Sequence, residues 1–286
     1  MTGSAGRGGE QRATPASSGV FGEQPTTAEP GVLVVAHRGN SSAAPGNTMP
    51  AVEGAWRVGA DLVEIDVRMS ADDVPVVIHD ETVDATTTGS GPVASMTGAQ
   101  VRALDAGSWF SPGFGGYRVP LLAEVAGFLA NHRGTDLLLE VKGDLTVPQA
   151  TVVLATLEAS GMRERTIVQT FWPQTIRALR TVDEQVRLGL LVGSHVAPEE
   201  VMLPLAAEVG AFACNPRYDL IERDPGVVAE IHAAGMQVYV WTLNDAGAWR
   251  TAVARGVDGV ITDRPDRLAG WLTATTAADR PAPAVV

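Results

Sequence analysis

From Val32 onward, short runs of Val, Ile and Leu alternate with longer alanine-rich segments whose apolar residues recur at helical spacing. This alternation constrains the chain more than any other feature, because repeated βα units build a parallel sheet, closed into a barrel or left open. Strands are expected at 32–36, 62–67, 74–79, 136–141, 166–170, 187–192, 211–215, 237–241 and 259–262. These nine candidates are one too many for an eight-stranded barrel. Helices are expected at 48–58, 147–159, 173–180, 198–208, 225–234 and 246–255. Thr48 and Pro50 open the first, and Gly161, Gly235 and Gly256 stop three of the others.

Two places break the alternation. Only eight residues separate Asp66 from Pro75, fewer than the roughly dozen that a parallel crossover needs, so no ordinary helix fits there. The stretch 81–117, with TTTGSG and SWFSPGFGG, is too rich in Gly and Ser for one helix and reads as a cap over one end of the sheet. Residues 1–30 and 273–286 are small, polar or proline-broken and are expected to be tails. The remaining core, 31–272, approaches the ~250 residues typical of a (β/α)₈ barrel. The expected fold is therefore α/β, a TIM-type (β/α)8 barrel with a small insertion after the third strand.

Charge and cysteine content narrow the partners. Thirty-three acidic residues against 21 basic ones give a net charge of −12, which disfavours nucleic acid and anionic lipid. Cys214 is the single cysteine, so neither an intrachain disulfide nor a thiolate metal site can form. No run reaches the ~18 to 20 apolar residues of a membrane span, and the first 30 positions lack a signal-peptide centre. A cytoplasmic protein without stable membrane insertion, acting on a small molecule, is the expectation; the pattern does not fix its oligomeric state.

The chemistry gathers at strand ends, where a barrel carries its active site. His37 and Arg38 follow the first apolar run, Glu64 and Asp66 lie two apart in the second, His79 and Asp80 end the third, and Glu140 and Lys142 end the fourth. Side chains two apart on a strand share a face. If that face is the barrel interior, Glu64, Asp66 and Glu140 converge, and their mutual repulsion requires a positive partner. An all-oxygen set favours one hard divalent cation, Mg²⁺ or Ca²⁺. Arg38 and Lys142 add fixed positive charge, so the group describes a phosphate site. His37 and His79 remain as the proton-transfer pair. Taken singly, a Glu-x-Asp or a His-Asp pair is more often a solvated strand end; it is their combination that points to chemistry. Cys214 reads as a small buried hydrophobe, and His132, His195 and His232 as surface or packing residues.

In their order and spacing, HRGNSSAAPGNT, VEIDVRMS, DDVPVVIHDETVDATTTGSG, RVPLLAEV, LLLEVK, VQTF, VYVWTLND and GVDGVITDRPD resemble the glycerophosphodiester phosphodiesterase family of phospholipase C-like barrels. The resemblance runs from His37 to about Pro265. It implies metal-dependent hydrolysis of glycerophosphodiesters to glycerol 3-phosphate and an alcohol. His37 and His79 would be the acid/base pair, Arg38 and Lys142 the phosphate contacts, and Glu64, Asp66 and Glu140 the metal ligands. It also places Trp241 in the substrate wall, where Phe171, Trp109, Phe110 and Phe114 are further candidates. One position departs: the family usually carries Glu where this chain has Gly46, which bears on metal affinity and on the anchoring of His37. The competing readings are a phospholipase C- or D-like phosphodiesterase acting on intact lipids, and a non-catalytic binder of phosphate ligands. The acidic chain opposes the first, and the presence of both histidines and all three carboxylates opposes the second.

Overall fold

The computed structural model describes residues 31–193 and 199–278. The tail expected over 1–30, His195 and residues 279–286 lie outside the described residues. The strands are β1 (Leu33–Ala36), β2 (Leu62–Met69), β3 (Pro75–Val77), β4 (Asp136–Val141), β5 (Thr166–Thr170), β6 (Arg187–Val192), β7 (Ala213–Pro216), β8 (Tyr239–Val240) and β9 (Gly259–Thr262). All but β3 are parallel, in the order β7-β6-β5-β4-β2-β1-β9-β8, and parallel bridges Ala213–Gln237 and Arg217–Trp241 join the two ends. The result is the TIM-type (β/α)8 barrel that the alternation predicts.

The surplus ninth strand is resolved by β3, which runs antiparallel to β2 with Val67 opposite Val77 and Met69 opposite Pro75. The connection that is too short for a helix is a hairpin turn. In it Ser70 Oγ donates to Asp72 Oδ1 (2.6 Å) and accepts from the Val74 N–H (2.9 Å). His79 therefore arrives on a hairpin flanking the ring and not, as expected, at the end of a barrel strand. The chain then enters the insertion, which packs Val76, Ile78, Val83, Val93, Val101, Ala106 and Val119 into a small core of its own.

Helices Met49–Arg57, Val147–Ala159, Pro173–Val182, Glu199–Val209, Val227–Ala233 and Ala246–Ala254 lie where helical spacing puts them. Leu122–Asn131 is a further helix that the sequence pattern does not mark, because Leu121 stands at its N-cap. Glu124 substitutes for a capping side chain, accepting the Leu121 N–H at 2.8 Å. The last helix, Pro265–Ala278, continues past the boundary drawn at 272.

Inside the barrel, Val35, Leu62, Leu138, Ile167, Ala213, Tyr239 and Ile261 form a closed apolar plug. A second, larger apolar layer lies between the strands and the helices. Side chains two residues beyond the plug point the same way: His37, Glu64, Glu140, Gln169, Asn215, Trp241 and Asp263. The plug is thus the floor of a polar cup at the carboxyl end of the sheet.

The turn that leaves β1 admits no side chain at Gly39. Its φ is +82°, and a Cβ there would fall 2.4 Å from the Ala51 carbonyl carbon. Gly39→Ala is expected to lower stability by about 2 kcal/mol or more, measured by urea denaturation.

Candidate active site

Three carboxylates meet on the cup's floor. Asp66 on β2 stands in register with Glu140 on β4, and Glu64 is two residues earlier on the same face of β2. One oxygen from each lies within 4.8 Å of the others, and all three side chains are buried. The convergence expected from alternation along the strands is therefore present.

The neighbours share out the negative charge. Lys142, nearly buried itself, sets Nζ 2.9 Å from Asp66 Oδ1 and 2.5 Å from Glu140 Oε1. Arg38 has a left-handed backbone, φ +56°. That conformation turns its N–H to Glu64 Oε2 (2.9 Å) and brings its Nε to 3.2 Å from Asp66 Oδ2. A bulky residue holds such a conformation only where its surroundings compensate, which marks functional turns. Asn47, also at positive φ, clamps Asp66 from both sides: its Nδ2 donates to Oδ2 (2.7 Å) and its Oδ1 accepts the Asp66 N–H (3.1 Å).

The electrostatic consequences differ among the three acids. Burial, reinforced by Asp66 and Glu140, drives the Glu64 carboxyl well above the usual range. Burial and then Asp66 push Glu140 up to about 7. Burial acts upward on Asp66 too, but Lys142 and Arg38 outweigh it and hold that carboxyl well below the usual range. For Lys142, burial opposes the charge, yet Asp66 and Glu140 prevail and raise its pKa. Glu64 Oε1 is buried with no hydrogen-bond partner. An acceptor left without a donor beside two other hard oxygen donors fits a divalent cation such as Mg²⁺ or Ca²⁺.

Two histidines face the cavity above, a space of about 330 Å³ lined by His37, Arg38, Gly46, Asn47, His79 and Trp109, among others. Each has its Nδ1 against a carboxylate: His37 with Asp263 Oδ1 at 2.6 Å, and His79 with Asp80 Oδ1 at 2.7 Å. That pairing fixes the ring and leaves Nε2 as the nitrogen free for proton transfer. Burial, followed by the charges of Lys142 and Arg38, lowers the His79 pKa. Asp263 also accepts from Ser41 Oγ and Asn244 Nδ2.

The remaining expected residues divide. Lys142 does not line this cavity; it borders an adjacent one of about 460 Å³ with Arg68, Glu81 and Asp144. Phe171 and Trp241 do not line the first cavity either. They meet edge to face at 5.5 Å, and the Trp241 Nε1 donates to the Asn215 carbonyl at 2.8 Å. Trp109 joins the cavity wall, whereas Phe110 and Phe114 do not. Gly46 borders the cavity with Arg38 Cβ and Ser41 Cβ closest to where a side chain would begin. His37 keeps an acidic anchor without it, in Asp263. Asp263 was legible in principle, since it stands two residues past the plug residue Ile261; Asn47 has no periodic signal at all. Cys214 is buried in the outer core with its thiol pushed up to about 12 by burial, as expected of a packing residue. His232 does have a partner, Asp258 at 2.8 Å, and His132 stacks on Phe128.

The Asp263 carboxyl is held down to about 2: burial acts upward, but the hydrogen bond and charge of His37, with Asn244 and Ser41, outweigh it. A depressed carboxylate contributes stability above its unfolded value of about 4, and that contribution disappears as pH falls through the folded value. Asp263→Asn should therefore be destabilised relative to the parent near neutral pH. The gap should close between about pH 4 and pH 2, as read by urea denaturation across that range.

Comparison with known proteins agrees with this geometry. A family model described as the glycerophosphoryl diester phosphodiesterase family matches residues 37–267. A glycerophosphodiester phosphodiesterase of Caldanaerobacter subterraneus subsp. tengcongensis is 32% identical over 240 residues, covering 82% of this chain and 96% of that protein. Among solved structures, the glycerophosphodiester phosphodiesterase of Agrobacterium tumefaciens superposes with a TM-score of 0.71 at 30% identity, covering 84% of this chain and 99% of the other. An Oleispira antarctica phosphodiesterase, solved with its product sn-glycerol-3-phosphate, superposes with a TM-score of 0.75 at 25% identity, covering 85% and 97%. The chain belongs to the glycerophosphoryl diester phosphodiesterase family.

Proposed function

We propose that this chain hydrolyses glycerophosphodiesters to glycerol 3-phosphate and an alcohol, using one divalent cation, Mg²⁺ or Ca²⁺, and His37 and His79 as the proton-transfer pair. The observation that carries the reading is the placement of two carboxylate-anchored histidines over one cup of three buried acids. The product bound to the Oleispira relative supports the substrate class. Charge counting supports it too. With all three acids ionised by a bound cation, they leave one formal negative charge against Lys142 and Arg38, which a divalent ion would reverse to suit a monoanionic diester.

Glu64, Asp66 and Glu140 would hold the cation, which when bound supplies positive charge to the phosphoryl oxygens. Arg38 adds a second positive group at the cavity wall, and Lys142 favours the ionised forms of Asp66 and Glu140. One histidine takes the proton from the attacking oxygen as that oxygen bonds to phosphorus. The other protonates the alcohol oxygen as its P–O bond breaks, so the proton count balances across the pair. Asp263 and Asp80 hold the two rings in the tautomer that leaves Nε2 available. No helix among the described residues is long and apolar enough to cross a membrane, and the single buried cysteine suits a reducing compartment such as the cytoplasm.

The test is release of glycerol 3-phosphate from glycerophosphocholine by the purified chain with Mg²⁺ or Ca²⁺. Chelation should abolish turnover and the ion restore it. His37→Ala and His79→Ala should each lower kcat by roughly 10²- to 10⁴-fold with the circular dichroism spectrum unchanged. Full activity in either variant removes that histidine from the pair. Binding of the diester without product after long incubation would make the protein a binder instead.

A further inference from the structure

The two histidines are anchored in different ways. His37 pairs with Asp263, which follows β9, and β9 is bonded to β1, so the barrel itself carries both members. His79 pairs with Asp80, the next residue in the chain. An anchor on the same segment fixes the rotation of the ring but not the place of the segment, since ring and carboxylate move together. The sheet does not fix it either, because the last β2–β3 pair is Val67 with Val77, two residues short of His79. Ile78 seats the segment in the insertion's own core, which is separate from the cup. A tie to the acid-bearing strand therefore has to come from a side chain.

Arg68 supplies that tie. It stands on β2 two residues past Asp66, and its Nε donates to the His79 carbonyl at 2.7 Å. That carbonyl belongs to the peptide joining His79 to Asp80, so one hydrogen bond holds the backbone of the ring and of its anchor together. The guanidinium is half-buried. Burial draws its pKa down, opposed by the charges of Glu81, Asp66, Asp80 and Glu140 around it. A hydrogen bond from an ionised donor, partly shielded from water, is stronger than a neutral one. Arg68 also borders the adjacent cavity of about 460 Å³, so a shorter side chain can replace it without overpacking.

We propose, on the reading of the site given above, that Arg68 is a positioning residue that sets where His79 and Asp80 stand over the three acids. It acts through the His79 peptide and not on the substrate. Proton transfer depends steeply on the separation of donor and acceptor, and a misplacement of about 1 Å costs on the order of 10²-fold. One hydrogen bond between β2 and the hairpin's exit thus links the two halves of the site: the acids, which the barrel places, and the second histidine, which it does not.

Arg68→Gln and Arg68→Met separate the hydrogen bond from the charge. Gln carries an amide nitrogen at the same point along the side chain as the Arg Nε, Met matches it in length without a donor, and neither is charged. In hydrolysis of glycerophosphocholine by the full chain with Mg²⁺ or Ca²⁺, Arg68→Met should lower kcat roughly 10- to 100-fold and leave KM and glycerol 3-phosphate affinity unchanged. Arg68→Gln should recover most of that loss. In a His79→Ala background the Met substitution should cost nothing further, since its effect passes through His79. Imidazole nitrogen NMR spectra give a readout apart from turnover: Arg68→Met should displace the His79 signals and leave those of His37 in place. Arg68→Leu, equally without a donor, replaces the Met variant if that one does not unfold cooperatively. A parental kcat in the donorless variant, losses that add in the double variant, or a Gln variant as slow as the Met variant would each overturn the proposal. Full turnover by His79→Ala alone would reject the reading of the site, and the role of Arg68 with it.

Discussion

Three carboxylates cannot be buried side by side at the rim of an apolar barrel unless opposing charge is brought to them. In this chain Lys142 and Arg38 bring part of it, and the local backbone is arranged to let them. Lys142 stands two residues beyond Glu140, just past the end of β4, so one strand and its exit deliver both an acid and its neutralising ammonium. Arg38 reaches the cluster only because its left-handed backbone turns both the N–H and the guanidinium inward. What these two leave unbalanced is most visible at Glu64, whose buried Oε1 has no hydrogen-bond partner.

The barrel sets this geometry through a simple rule. An apolar plug closes the interior, and the next inward-facing residue on each strand is free to be polar because it faces the open end. Glu64 and Glu140 within β2 and β4, and His37 and Asp263 immediately after β1 and β9, obey this rule. His79 does not. It depends on the β2–β3 hairpin and on the insertion that follows, so the second histidine of the proposed pair is positioned by a unit with its own core.

Much of this is legible in the amino-acid order. Alternation by two along 62–67 and 136–141 puts Glu64, Asp66, Glu140 and Lys142 on one face, and the structure brings them together. The short gap before Pro75 signals an irregular connection, but not its antiparallel sense, because a three-residue run reads alike in either direction. Asn47 is invisible to periodicity, since its role depends on a positive φ in a turn and on contact with a strand 19 residues away. Trp241 and Phe171 are aromatic at strand ends, as a substrate wall would require, yet they satisfy each other and the Asn215 carbonyl. Whether an aromatic at a strand end faces ligand or neighbour is decided by packing, which spacing alone does not encode.

The account turns on whether the acidic cup takes a cation, and equilibrium binding of Mg²⁺ or Ca²⁺ measures that directly. The parent chain should bind one ion saturably, and Glu64→Gln should weaken that binding by at least ~10- to 100-fold with thermal unfolding still cooperative. An absence of saturable binding by the parent, or undiminished affinity in the variant, would contradict it.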